Sequence, residues 1–277
     1  MLRKLLKYEF KASGRILLPI YGALVVLGAI SGIFTGIKPG LTWDNRFLSL
    51  LKILTIIIYS ALFAASAIFA VIISIIRFKK NLLGSEGYLM HTLPVNVSSN
   101  ISAKLIVSMC YQILSVVAAC VSIFMFILTT WIVCGGIQEL TQMPDINDIQ
   151  IAWDQIKNML TAQMAINFAF YVLETIILSI AVLAGFNLMI YAAMAIGYSF
   201  NSNKTAKSVL TYIGFYFASQ IINMFLIKIF NPIASNIPSG FAVPHAFLIG
   251  TLALYIIYAA VYFFITNYFL KNKLNLQ

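Results

Sequence analysis

The stretch that decides the fold is LSLLKILTIIIYSALFAASAIFAVIISII, residues 48–76, in which the one charged side chain is Lys52. A helix needs about 20 predominantly apolar residues to cross the hydrocarbon core of a bilayer. Arg77, Lys79 and Lys80 follow the apolar run directly and mark a boundary with water. The stretch therefore predicts a membrane-spanning helix.

Five other apolar stretches predict further spans, at residues 16–37, 104–134, 164–198, 208–230 and 247–270. The 277 residues are 61% hydrophobic and 9% charged, with a mean hydropathy of +0.95, which excludes a water-soluble fold. We therefore predict an all-α integral membrane protein with six transmembrane helices. Little chain remains for anything else, so we interpret residues 1–277 as a single transmembrane domain.

The amino terminus has an amphipathic pattern. Leu2, Leu5, Leu6, Phe10 and Ser13 share one helical face, and the opposite face carries five basic residues, Arg3, Lys4, Lys7, Lys11 and Arg15. A basic amphipathic helix of this kind lies on a membrane surface and suits the anionic cytoplasmic leaflet. Residues 1–15 are thus predicted to form an interfacial helix; the alternative is a simple charged flank of the first span.

Basic residues are distributed unevenly between alternate connecting segments. Thirteen of the eighteen lysines and arginines fall on the side that contains both termini and residues 77–103, and five fall on the other side. The positive-inside rule then places both termini in the cytoplasm, residues 77–103 in a cytoplasmic segment and residues 135–163 in an extracellular loop. The net charge of +10 therefore reflects the basic residues that orient the chain in the membrane, and we expect no nucleic-acid partner.

Sequence motifs for catalysis or metal binding are absent. The chain has no G-x-x-x-x-G-K-[ST] phosphate loop, no H-E-x-x-H and no G-x-S-x-G. Its two histidines, His91 and His245, are too scattered for a metal centre, and Cys110, Cys120 and Cys134 have no ligand spacing. We expect no enzymatic activity and no catalytic, cofactor-binding or metal-binding residue.

Glu174 is the one acid within a predicted span. A carboxylate there costs a few kcal/mol unless it is paired or protonated, so the side chain must face protein or water. Two interpretations remain open. One is a role in a translocation path or in gating, and the other is a structural hydrogen bond to a polar residue of another span, such as Gln112, Gln220 or Asn223.

The segment between spans two and three reads RFKKNLLGSEGYLMHTLPVNVSSNISAK, residues 77–104. Ser85 can cap a short helix that has Glu86 in its first turn and is stopped by Pro94. Tyr88, Leu89, Thr92 and Leu93 would then share a mostly apolar face. Because exposed apolar patches commonly mark contact sites, this face predicts a partner surface in the cytoplasm.

With these features the chain resembles the permease subunits of type-2 ATP-binding-cassette transporters, of the exporter class. The resemblance covers essentially the whole chain. It rests on the basic opening LRKLLKYEFKASGR, the run from Gly84 to Val95 that follows Arg77 and Phe78, and six spans with a large loop between the third and fourth. In this family the first segment is an interfacial elbow helix, and the loop helix is a coupling helix that docks into an ATPase subunit.

The resemblance implies a dimer, with a second permease copy or a paralogous permease as the other half, embedded in the lipid bilayer. A separate ATPase subunit, contacted through Glu86, Tyr88, Leu89, Thr92 and Leu93, would bind ATP and Mg²⁺. Peptides, lipids or hydrophobic drugs are the cargo to be expected, across the cytoplasmic (inner) membrane of a bacterium. One departure from the family is residues 231–246, which are barely long enough for its pair of re-entrant helices.

A different class of function also fits the pattern. A non-transporting membrane protein, such as an immunity or sensor subunit, would bind a peptide or signalling partner with its outer loop. An ATPase that co-purifies with the chain would distinguish the permease from this alternative.

Overall fold

The structure is a computed structural model that describes residues 2–37, 45–84, 87, 96–136, 150–151, 153–155, 162–235 and 242–273. Six long helices dominate these residues: α1 (Leu2–Gly36), α2 (Asn45–Phe78), α3 (Val97–Trp131), α4 (Ala162–Gly197), α5 (Lys204–Ser235) and α6 (Ala242–Asn272). Helices α2 and α3 each end in one π-helical turn, Lys79–Leu83 and Ile132–Gly136. All regular secondary structure in the described part of the chain is helical.

All six helices are long and apolar enough to cross a membrane, as predicted. Their outward faces carry large apolar side chains; Leu210 of α5 is 70% exposed and Phe264 of α6 is also 70% exposed. Such faces are unfavourable in water and favourable against acyl chains. The fold is therefore that of a multi-pass, all-helical membrane protein.

The helices are longer than the predicted spans. Helix α1 has 35 residues, and at 1.5 Å per residue it is about 52 Å long, against a hydrocarbon core of about 30 Å. Its amphipathic first half, residues 2–15, is continuous with the apolar half, so the structure has one helix where the sequence predicts an interfacial helix followed by a span. Helices of this length must tilt or project beyond the hydrocarbon region.

The chain forms two compact units, each assembled from segments that are distant in the sequence. One contains residues 6–74 and 110–156, and the other contains residues 1–5, 75–109 and 157–277. The sequence carries no signal of this division, because an apolar run indicates a membrane crossing but not which crossings pack together.

In the first unit, α1 packs closely against α3. Gly28, Gly32 and Gly36 form one stripe on α1, and backbone oxygens of α3 at Ser122, Phe126 and Thr130 approach them in the same order. The hydroxyl groups of Thr129 and Thr130 donate to the carbonyls of Ala29 and Gly32, each over 3.1 Å. Small residues permit this close approach, and hydrogen bonds from threonine reinforce it, as is common between helices in membranes. The two helices are thus parallel.

Helix α2 runs antiparallel to α1 in the same unit. Ser31 donates to the carbonyl of Thr55, and the Lys52 ammonium donates to the carbonyl of Ile37 over 2.6 Å, at the end of α1. A cation at a helix carboxyl end satisfies carbonyls that have no partner in the helix. The up, down and up order of α1, α2 and α3 is what consecutive membrane crossings require.

In the second unit, α4 packs against both α5 and α6. Helix α6 is parallel to α4, because Glu174 meets His245 and, eleven residues further along α4, Gly185 meets Tyr255. Helix α5 is antiparallel to α6, since Ser219 meets Tyr258 whereas the earlier residue Phe215 meets the later residue Tyr262. The three helices again alternate in direction.

Candidate functional site

The first candidate site is a pair of ionisable side chains on α4 and α6. Nδ1 of His245 lies 2.8 Å from Oε2 of Glu174, within hydrogen-bond distance. The side chains are 22% and 19% exposed, respectively, so each is largely enclosed by protein. The hydrogen bond gives each of the two polar groups a partner within the membrane, which lowers the free-energy cost of placing Glu174 there.

Tyr171 fixes the orientation of the imidazole. Its ring stacks on that of His245 with centroids 4.0 Å apart and planes inclined by 14°. Tyr171 and Glu174 are three residues apart on α4, so they share one face of the helix and contact His245 together. The stack and the hydrogen bond hold the imidazole from two directions.

The sequence required Glu174 to face protein or water, and the partner that the structure shows, His245, was not among the residues predicted for it. The prediction placed the start of the last span at Phe247 and so assigned His245 to a connecting segment, whereas α6 begins at Ala242. Pro244 lies in the first turn of α6, where the missing amide donor is tolerated. A proline followed by an apolar run is a signal for a helix start. This signal places the start of the last helix before His245, so that His245 belongs to the helix.

The second candidate site is a partly open cavity of about 180 Å³ lined by residues of α4, α5 and α6. Five of its lining residues are tyrosines, at positions 212, 216, 255, 258 and 262. Helix α4 contributes Gly185, Phe186 and Met189 to the wall. The α5 and α6 tyrosines recur at spacings of three, four and seven residues, so each helix turns one aromatic face towards the cavity.

Polar groups without charge complete the cavity wall. Ser219, Gln220 and Asn223 of α5 lie next to the tyrosines. Gln220 and Asn223 are two of the partners predicted for Glu174, and the structure places them at this cavity. An uncharged polar face within a membrane span favours a buried ligand or protein contact over contact with lipid, because acyl chains offer amides no hydrogen-bond partner.

A third cluster holds the two ends of the segment 77–104. Tyr191 of α4 is 1% exposed, and its ring stacks on Phe78 with centroids 4.0 Å apart and planes inclined by 7°. Its hydroxyl donates to Ser108 Oγ over 3.3 Å and lies 3.5 Å from the carbonyl oxygen of Lys104. Phe78 ends α2, and Lys104 and Ser108 belong to the first part of α3. Tyr191 thus holds both flanks of this segment.

Comparison of the chain with known protein families, curated proteins and solved structures found no match. The three clusters are therefore interpreted from their own geometry and chemistry.

The residues predicted to contact an ATPase fall outside the described residues: Glu86, Tyr88, Leu89, Thr92 and Leu93. What is described of the segment is its two ends. After the π-helical turn Lys79–Leu83, the amide of Gly87 donates to the carbonyl of Gly84 over 2.8 Å, and Leu82 and Leu83 are buried. The coupling-helix assignment stays a prediction.

The residues predicted to lie on the membrane surface form one stripe on the first turns of α1. Arg3, Lys4, Lys7, Lys11 and Arg15 are all exposed. On the other face Glu9 and Ser13 are buried, and the carbonyl of Phe10 accepts a hydrogen bond of 2.7 Å from the hydroxyl of Tyr111. The cationic stripe is free to meet an anionic surface, while the opposite face is held by protein.

Proposed function

We propose that this chain is the transmembrane permease subunit of an ATP-binding-cassette exporter of the type-2 class. The observation that carries the proposal is the buried cluster around Tyr191. A loop that receives force from a partner protein must be attached rigidly to the membrane helices. Both flanks of the segment 77–104 meet α4 at this residue. A loop mounted in this way transmits a displacement to α4 instead of absorbing it.

Helix α4 would carry that displacement to the other two clusters. It is a continuous helix of 36 residues, and Glu174, Gly185, Phe186 and Tyr191 all lie on it. The cavity wall begins at Met189, two residues from Tyr191, and Glu174 lies further along the same helix, towards its amino end. Closure of an ATPase dimer would therefore move the cavity wall and the Glu174–His245 pair together, which is the rigid-body motion expected of alternating access.

The other predicted segments and partners would have the following roles in this exporter. Residues 85–94 would form the coupling helix, and the basic stripe on α1 would rest on the cytoplasmic leaflet of a bacterial inner membrane. A second permease copy or a paralogous permease would supply the other half of the path. ATP and Mg²⁺ would bind the separate ATPase subunit. The many apolar and aromatic side chains suit peptides, lipids or hydrophobic drugs as cargo.

The decisive experiment is affinity purification of the chain from its native membrane in mild detergent, followed by identification of the proteins that co-purify. The expected partner is an ATPase with a phosphate loop, and its ATP hydrolysis should be required for transport in reconstituted vesicles. Recovery of a peptide or a signalling protein at the outer loop, with no ATPase, would instead support a non-transporting immunity or sensor subunit.

A further inference from the structure

The side chains that line the tyrosine-rich cavity are of types that coupling to an ATPase does not require. Its twelve described lining residues include five tyrosines and no Lys, Arg, His, Asp or Glu. We propose that this cavity binds a small organic cation that carries a quaternary ammonium group. The site is formed by one chain, within one compact unit, so the proposal does not depend on an ATPase partner.

The arrangement of the rings suits a cation. The rings of Tyr255 and Tyr258 have centroids 5.8 Å apart and planes at 87°, and Tyr258 and Tyr262 have centroids 6.2 Å apart. All three tyrosines line the cavity, so a cation in it can lie over the face of a ring, where the negative charge is, and away from the positive ring edge. A cation within about 6 Å of a ring centroid is attracted by the negative face, and clusters of aromatic rings recognise quaternary ammonium groups in this way.

The uncharged polar groups favour the same ligand. The hydroxyl of Tyr258 donates to the carbonyl of Ser219 over 3.3 Å, which holds the ring in place. The side-chain amide oxygens of Gln220 and Asn223 offer partial negative charge. An anion would find no basic side chain among the described lining residues. A primary ammonium would have to give up hydrogen bonds to water, whereas a quaternary ammonium has no N–H group to satisfy and so is easier to bury.

Size restricts the ligand further. The cavity volume is about 180 Å³, and a protein cavity of roughly 150 Å³ is known to hold one benzene molecule. A trimethylammonium group with a short chain therefore fits, but a whole phospholipid does not. The same chemistry occurs in free choline-like solutes and in lipid head groups, and the experiment has to separate these two sources.

The test uses the purified full-length chain, without any partner protein, in nanodiscs of phosphatidylglycerol. Equilibrium binding of radiolabelled choline is measured, with 3,3-dimethylbutan-1-ol as the competitor in which a carbon replaces the cationic nitrogen. Choline should bind roughly 10- to 30-fold more tightly than this neutral isostere, the ratio expected of a desolvated cation–π contact. Absence of choline binding, or equal binding of the two compounds, would overturn the proposal.

Variants locate the site. Tyr258→Phe keeps the ring and loses only the hydrogen bond to Ser219, so it should retain most of the choline binding, whereas Tyr258→Leu should weaken binding roughly tenfold. Tyr268→Leu is the matched control, because Tyr268 also lies on α6 but is 52% exposed and does not line the cavity. Tyr216→Leu on α5 provides a second ring deletion at a residue that is 46% exposed and therefore tolerant of substitution. If neither ring deletion weakens binding more than the control, the cation does not bind in this cavity.

The last arm identifies the source of the cation. A short-chain phosphatidylcholine, used below its micellar concentration, competes with choline if the site accepts a lipid head group and does not compete if the site accepts only a free solute. Both results keep the quaternary ammonium as the ligand. The proposed exporter function is tested separately by co-purification, so either proposal can fail without the other.

Discussion

Nδ1 of His245 lies 2.8 Å from Oε2 of Glu174 although the two residues are 71 positions apart in the chain. This contact joins α4 to α6 and should contribute measurable coupling energy. Glu174→Gln and His245→Gln should each destabilise the protein, and the double variant should lose less than the sum of the two. A coupling energy of about 0.5–2 kcal/mol is expected for polar pairs between membrane helices. Reversible unfolding in mixed detergent micelles measures it, and strictly additive losses would contradict a direct contact.

The same Glu174→Gln variant separates a transport role from a structural one. If the carboxylate serves gating, the variant should reach the membrane in normal amounts but change transport or substrate-stimulated ATP hydrolysis in the assembled transporter. His245→Gln should change the same readout, because it removes the group that positions the carboxylate. Unchanged transport by equally abundant protein would leave the pair with a structural role alone.

The six spans could be predicted from the sequence because membrane crossing depends on long apolar runs, and those runs are visible without any tertiary information. The Glu174–His245 contact could not be predicted, since periodicity describes one helix and carries no information on which helices pack together. The signals that were available are local. Gly28, Gly32 and Gly36 repeat every four residues, which indicates a close helix contact, and the cavity-lining residues of α5 share one helical face.

The glycine stripe of α1 is tested by adding a single methyl group. A Cβ on Gly28 would lie 2.7 Å from the backbone oxygen of Ser122, so Gly28→Ala should force α1 and α3 apart and cost about 1–3 kcal/mol. The matched control is Gly22→Ala on the same helix, where no atom lies within 4 Å of the added Cβ. The control should be neutral or stabilising by up to about 1 kcal/mol, because alanine is the better helix former. Equal melting temperatures of the two variants would contradict the close contact.

Removal of the Tyr191 ring should loosen the packing that holds the two ends of the segment 77–104. Tyr191→Phe keeps the stack on Phe78 and loses the hydrogen bond to Ser108, for a loss of about 0.5–1.5 kcal/mol. Tyr191→Ala removes a buried aromatic ring and should cost about 3–5 kcal/mol. Thermal unfolding in detergent measures both, with Tyr268→Ala as the exposed control. Equal losses for Phe and Ala would show that the hydroxyl group, and not the stack, holds the cluster.

The orientation inferred from the thirteen-to-five charge distribution is tested by accessibility of introduced cysteines. Cys110, Cys120 and Cys134 are first replaced by alanine, which gives a background free of thiols. Cysteine at Asp148 or Ser235 should react with an impermeant thiol reagent added to intact cells, whereas cysteine at Ser85 or Lys204 should react only after the cells are opened. Labelling at Ser85 from outside would reverse the topology and remove the basis for a cytoplasmic partner.

The proposed coupling helix is tested at its two apolar anchors. If residues 85–94 dock into an ATPase, the binding energy should reside in a few apolar side chains that the partner closes off from water, with charge contributing mainly orientation. Tyr88→Ala and Leu89→Ala should each weaken association by about 1–3 kcal/mol, and Glu86→Lys should also weaken it because the start of a helix favours an acid.

The double variant Tyr88→Ala, Leu89→Ala should therefore reach the membrane and unfold like the unmodified protein, yet lose its ATPase partner and its transport together. Tyr191→Phe serves as the control, because it removes the hydrogen bond to Ser108 but leaves the proposed docking residues unchanged. This variant should retain the partner. The measurement is the ratio of ATPase to permease after affinity purification. A full complement of ATPase on the double variant would refute the coupling-helix assignment, since a helix that loses both apolar anchors cannot hold a partner through them.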